Sequence, residues 1–159
     1  DKIQTINEYD NAVRYNDHVV YELIHRLKQS NQHSLLVYFS DHGDDVYDSK
    51  PHNFKGRNEG NPTYPMYAVP FIVWHSKNWE RADQFYDQKI LNRQYDNADF
   101  IYTFSDMLGL SYQGYMDVES VISKHFVEDN IVVGNPYNKS MTLLAGTQHY
   151  ESNHHGLHQ

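Results

Sequence analysis

The chain has 159 residues, a net charge of −8 with histidine neutral, and no cysteine. That length can bury one domain core, while scattered basic residues on an acidic chain exclude a nucleic-acid footprint. The lack of cysteine excludes disulfides and thiolate metal sites and leaves the redox compartment open.

From Ile6 to Lys28 the apolar residues fall at helical spacing, as Ile6, Tyr9, Val13, Val20, Leu23, Ile24 and Leu27. With Lys28 closing the stripe, this predicts an amphipathic helix that faces a core. After a polar turn at residues 30–34, the run Leu35-Leu36-Val37-Tyr38-Phe39 reads as a buried parallel strand. It stops at Ser40-Asp41-His42-Gly43, and open α/β sheets place their chemistry just beyond such strand ends. Gly43 allows a tight turn or a close approach of the backbone. Residues 43–66 form a long polar segment with several glycines and prolines; structureless loops of that length are uncommon in compact domains. The run 68–74 predicts a second strand, with Pro70 near its start, where a missing N–H is tolerated. Residues 78–91 are a weaker helical candidate. Residues 97–108 are a stronger one, with Asn97 as the cap, Ile101, Phe104 and Leu108 on one face, and Gly109 at its C-terminal stop. Beyond Leu110 the pattern fades, except for an apolar run at Ile131-Val132-Val133. Residues 149–159 hold four histidines and almost no apolar side chains, and read as a frayed tail. The order helix, strand, loop, strand points to an α/β fold.

Within these 159 residues no run is long enough to cross a membrane and no signal-peptide pattern is read, which describes this stretch alone. The chain begins at Asp1 with a helical pattern already under way, so it is expected to be part of a longer protein. Asp41 and His42 stand where a site would be built. Consecutive residues on an ideal strand point to opposite faces, but past the strand end both can converge on one ion. An oxygen and a nitrogen donor suit zinc, which takes three or four protein ligands. His52, on the long segment, is the best further candidate. A polar turn at 41–43 and an exposed loop histidine at 52 remain the alternatives. Asp44, Asp45 and Asp48 can serve as acceptors that orient histidines, or form a solvated acidic turn. No serine nucleophile elbow, phosphate-binding glycine loop or paired-histidine zinc helix appears.

The stretches Asn7-Glu8-Tyr9-Asp10-Asn11-Ala12, Tyr38 to Gly43, Pro51-His52, Gly56-Arg57-Asn58-Glu59 and Val69-Pro70-Phe71 resemble phosphoethanolamine transferases. These inner-membrane enzymes decorate lipid A or the lipopolysaccharide core in Gram-negative bacteria. Asp45-Val46-Tyr47-Asp48, Gly56 to Glu59 and residues 100–115 look most like the subgroup acting on core heptose. The similarity spans about residues 5–125. Ser-Asp-His-Gly by itself is shared with sulfatases and other alkaline-phosphatase-like enzymes.

The resemblance implies an α/β fold, the C-terminal portion of an alkaline-phosphatase-like three-layer sandwich, over residues 1–148 and facing the periplasm. It implies a Zn2+ cofactor and a threonine that attacks the phosphorus of phosphatidylethanolamine, then passes phosphoethanolamine to lipopolysaccharide core or lipid A. Asp41 and His42 match the family's zinc ligands, and His52 matches a histidine that contacts substrate phosphate or a further zinc. The family's threonine nucleophile, a glutamate ligand, another histidine and the membrane helices lie upstream of the matched region. Thr5, Thr63 and Thr103 do not match the nucleophile's context, so no catalytic nucleophile is expected in this chain, which alone should be inactive. Asp44 stands where many relatives have glutamate. The competing readings are a sulfatase or phosphodiesterase of the same superfamily, and a non-catalytic domain that binds a metal or a partner.

Overall fold

The computed structural model describes residues 1–85, 87–137 and 140–144. It divides into two compact units, one from Asp1–Arg14, Ser40–Pro70 and the stretch from Val132 onward, the other from Tyr15–Phe39 and Phe71–Ile131.

Helix α1, Lys2–Ser30, contributes to both units. The Asp1 carboxylate accepts the Ile3 N–H at 3.1 Å, satisfying one of the free donors of the first turn. Gln4 donates to Glu8 at 2.8 Å, a one-turn pair. Asn31, at φ +53, ends the helix. The stripe read from the sequence is only partly realised. Val20 is the one buried residue of α1, whereas Val13 and Leu23 are 51% and 47% exposed. Spacing set the helix; it did not set what covers each side.

The second unit holds strands β1, Leu35–Phe39, and β4, Phe71–His75. They pair antiparallel, with Val37 opposite Val73 and Phe39 opposite Phe71. The expectation of a buried parallel strand is corrected on both counts, because β1 and β4 are half-buried and run in opposite directions. A continuous apolar run marks a strand, but the direction of its partner is a long-range property. Alternation places Leu35, Val37, Phe71 and Val73 against a core built on Met107, Val121 and Ile122. Phe39 packs on Phe71 and Phe100 with ring centroids 5.6 and 4.8 Å away.

Helix α2, Phe100–Leu108, ends at Gly109 in the left-handed conformation, as expected. The Gly109 and Leu110 N–H groups return to carbonyls of the last turn, Leu110 to Ser105 at 2.8 Å, the Schellman arrangement. Its start and its roll differ from expectation. Residues 97–99 form a 3-10 turn capped by Asp96, which accepts the Ala98 N–H at 2.9 Å, so Asn97 is not the cap. The buried face is Thr103, Ser105 and Met107, while Ile101 is 55% exposed. Polar anchors decide this roll: Thr103 Oγ1 accepts the Val121 N–H at 3.0 Å, and Asp106 accepts from Gln84 and Ser120, both at 2.9 Å. Residues 78–91 do not form one helix but two 3-10 turns, Ala82–Phe85 and Gln88–Asn92. Extended backbone at Asp87 interrupts them, and its carboxylate caps the second turn through the Lys89 N–H. Beyond Leu110, where the sequence pattern fades, Ser120-Val121-Ile122-Ser123 is buried.

The first unit holds the hairpin β2, Asp45–Val46, with β3, Lys55–Gly56, and the hairpin β5, Val132–Asn135, with β6, Ser140–Leu143. The long polar segment is therefore organised, and the 3-10 turn Tyr64–Met66 buries Met66 completely. Among the described residues no helix is long and apolar enough to cross a membrane. The histidine-rich residues 149–159 lie outside the described residues.

Candidate metal centre

β1 delivers the chain to Ser40, where the backbone folds over itself within three residues. Ser40 Oγ donates to the His42 carbonyl at 2.7 Å, and Asp41 Oδ1 accepts the His42 N–H at 3.1 Å. His42 Nδ1 lies 3.0 Å from the Gly43 carbonyl. A carbonyl only accepts, so Nδ1 carries the proton and Nε2 of the neutral ring is left with its lone pair outward. That Nε2 is 3.9 Å from Asp41 Oδ2, with the two side chains 44% and 89% exposed.

Gly43 seats this turn. Its N–H donates to the Met66 carbonyl at 3.0 Å. A Cβ on Gly43 would stand 2.1 Å from the Pro65 carbonyl oxygen and 3.5 Å from that of Ala68. The glycine is there for close approach of two backbones. Arg57 supports the same point, donating to the Met66 carbonyl at 3.2 Å, pairing with Glu59 at 3.2 Å and lying over the Tyr67 ring at 5.0 Å. The Gly-Arg-Asn-Glu stretch thus holds the seat on which Gly43 rests. Nothing in the spacing of this stretch from residue 43 announces the contact.

The acidic residues after Gly43 are spent differently from one another. Asp45 is 1% exposed and accepts from Thr63 Oγ1 at 2.8 Å and from the N–H groups of Asp48 and Ser49 at 2.9 and 3.4 Å. Asp48 accepts the Val46 N–H at 2.9 Å. Both carboxylates therefore brace their own loop and do not orient a histidine. Burial pushes the Asp45 carboxyl up, but hydrogen bonds from Ser49, Thr63 and Asp48 outweigh it and hold the group below its ordinary value. A carboxyl lowered on folding adds stability above its unfolded pKa, about 3.9, and loses it as pH falls through the folded value. We expect the protection factors of amides 45–56, corrected for intrinsic exchange, to fall as pH drops below about 4. Asp45→Asn should flatten that dependence; an unchanged acid profile in the variant would remove Asp45 as its source.

His52 sits at φ +60, with its N–H 2.7 Å from the Ser49 carbonyl and Nδ1 2.7 Å from the Tyr47 carbonyl. Its own carbonyl accepts from Lys2 Nζ at 2.6 Å. The ring is exposed and held in place, but it does not join Asp41 and His42. Among the described residues, no three histidine, aspartate or glutamate side chains come together as a metal cluster. Sequence reasoning also passed over Asp117 and His125, whose Oδ2 and Nδ1 are 2.6 Å apart on the surface. The hydrogen bond from His125 holds the Asp117 carboxyl below its ordinary value. Nothing in a separation of eight residues announces that pair.

The donor set at 41–42 fits zinc in kind and reach. A carboxylate oxygen and an imidazole nitrogen 3.9 Å apart both fall within reach of one ion with bonds of about 2.0–2.2 Å. Two ligands are half of a tetrahedral set.

A model of the sulfatase family matches residues 1–110. Phosphoethanolamine transferase EptC of Escherichia coli K12 is 44% identical over 150 residues, 94% of this chain and 26% of that protein. Phosphoethanolamine transferase CptA of Salmonella typhimurium LT2 is 41% identical with the same coverage of each chain. The backbone superposes on the crystal structure of the C-terminal periplasmic domain of EptC from E. coli with a TM-score of 0.87 and 42% identity, over 93% of this chain and 42% of that one. A crystal structure of the same domain in complex with Zn gives a TM-score of 0.88, over 94% and 42% of the two chains. The chain spans about a quarter of the length of the transferases it matches (26%). The α/β architecture is thus part of a sulfatase-like domain, and the chain belongs to the sulfatase family.

Proposed function

We propose that residues 1–148 are the C-terminal part of the periplasmic catalytic domain of a zinc-dependent phosphoethanolamine transferase of the inner membrane. The donor is phosphatidylethanolamine, the acceptor lipopolysaccharide core or lipid A, and the route a phospho-threonine whose threonine lies in sequence beyond this chain. The observation that carries this reading is identity of 41–44% with phosphoethanolamine transferases across 94% of the chain. Asp41 Oδ2 and His42 Nε2 hold the zinc, and further ligands come from beyond the chain. Bound zinc supplies Lewis-acid stabilisation of charge gathering on the phosphoryl group. Gly43 and Arg57 keep the ligand turn in place. His52 has its Nδ1 turned to the Tyr47 carbonyl, which leaves Nε2 as the ring atom that would face the substrate phosphate.

The test is an assay of the longer protein that carries this chain. It is expected to release about one equivalent of diacylglycerol from phosphatidylethanolamine without acceptor and to turn over repeatedly only with acceptor present, to stop when a chelator removes zinc, and to leave aryl sulfates intact. Aryl sulfate hydrolysis without phosphoethanolamine transfer would place the protein among the sulfatases of its family instead. The 159-residue chain alone should show no turnover, and activity in it would overturn the division of the active centre.

A further inference from the structure

A second concave feature lies within the other unit, at the Leu35/His75 end of the β1–β4 ladder. There α1 ends and β4 runs out, leaving a cavity of about 510 Å3, within the range of small-molecule sites (about 300–1,000 Å3). Its charge opposes that of the chain. The chain carries −8 overall, yet the cavity is lined by Lys28 and Lys77 and by no carboxylate. Neither ammonium has an ion-pair or hydrogen-bond partner among the described residues, and the side-chain amides of Asn31, Gln32 and Asn78 are equally uncommitted there. Trp74 supplies an aromatic wall.

The floor is built rather than loose. Ser34 and Ser76 are buried and exchange hydrogen bonds, Ser34 N–H to Ser76 Oγ at 3.0 Å and Ser76 N–H to the Ser34 carbonyl at 2.9 Å. His75 is fixed between the Ser76 carbonyl, 3.0 Å from its Nδ1, and the Phe85 ring, stacked at 5.0 Å.

Each candidate ligand class can be held against that inventory. A purely apolar ligand would strip water from two ammonium groups and three amides and return nothing to them. A bare inorganic anion would use the lysines and leave the indole, the amides and most of the volume idle. A body rich in hydroxyls with one anionic group uses all of it. Its charge meets the lysines, its hydroxyls meet the amides, and its C–H face covers the indole. We propose that this cavity is a binding site for a sugar phosphate, with Lys28 and Lys77 taking the phosphoryl group and Trp74 the ring. The site is independent of the transfer chemistry assigned to Asp41 and His42, so the fate of that assignment does not decide this one.

The test titrates the longer protein that carries this chain with glucose 6-phosphate, glucose and inorganic phosphate in separate experiments, followed by amide chemical shifts. Glucose 6-phosphate is expected to saturate, with shifts centred on residues 27–32 and 74–78. Glucose and phosphate should each bind about tenfold more weakly or worse. The exposed pair Lys28→Gln and Lys77→Gln together should weaken glucose 6-phosphate by about tenfold or more, with the circular dichroism unchanged, while Lys77→Arg retains binding. Phosphate binding as tight as glucose 6-phosphate, shifts centred elsewhere, or an unaffected double variant would each overturn the proposal.

Discussion

On the proposed function, Asp41→Ala and His42→Ala, made singly in the longer protein that carries this chain, are expected to cut phosphoethanolamine transfer by about a thousandfold or more. A metal acting as Lewis acid contributes several kcal/mol to a transition state, and about 4 kcal/mol corresponds to roughly a thousandfold in rate. Each substitution removes a donor from a pair whose free atoms, Oδ2 and Nε2, are already 3.9 Å apart and open to solvent. Zinc content measured on the same samples should fall with activity. Asp117→Ala is the matched control. It breaks another aspartate–histidine contact, at 2.6 Å, on the surface of the other unit, and should leave transfer within about twofold, as surface substitutions ordinarily do. Full transfer in Asp41→Ala and His42→Ala would instead support a domain whose metal or partner binding is not catalytic.

Gly43→Ala should be the most damaging substitution that touches no ligand. The added methyl would sit 2.1 Å from the Pro65 carbonyl oxygen, closer than any real contact, and Pro65 cannot yield because Met66 beside it is fully buried. The turn must move, and the Gly43 N–H then leaves the Met66 carbonyl. Overpacking of this kind costs about 1–3 kcal/mol, which a denaturant midpoint will read. The larger effect is on function: a ligand turn displaced by about 1 Å is expected to cost about a hundredfold in transfer. Arg57→Ala, which removes a donor from the same Met66 carbonyl, should weaken transfer less and in the same direction. Wild-type zinc affinity and transfer in Gly43→Ala would show that the close approach is not what holds the site.

The legible parts of this protein were those governed by a few neighbouring residues. Strand β1 runs from Leu35 to Phe39 as the apolar run does. Gly109 stops α2 in the left-handed conformation that glycine adopts at little cost. The use of Gly43 for close approach was legible in kind, but its partner, the Pro65 carbonyl, was not. Capping was misread by one residue, because Asp96 and Asn97 are both good caps and only the 3-10 turn between 97 and 99 selects the first.

The tertiary structure alone decided matters that depend on residues far away in sequence. Antiparallel pairing of β1 with β4 rests on a partner beyond the long segment. The roll of α2 is set by polar anchors, Thr103 on Val121 and Asp106 on Ser120, strong enough to leave Ile101 in solvent. Asp45 looked like one member of an acidic turn and proved to be its buried brace, since a carboxylate is worth burying only where several donors converge on it. Residue identity determined that a carboxylate and an imidazole, Asp41 and His42, follow the end of the strand. Only the fold determined that both face outward together, because that depends on a glycine, an arginine and a carbonyl at residues 43, 57 and 66 that meet only in space.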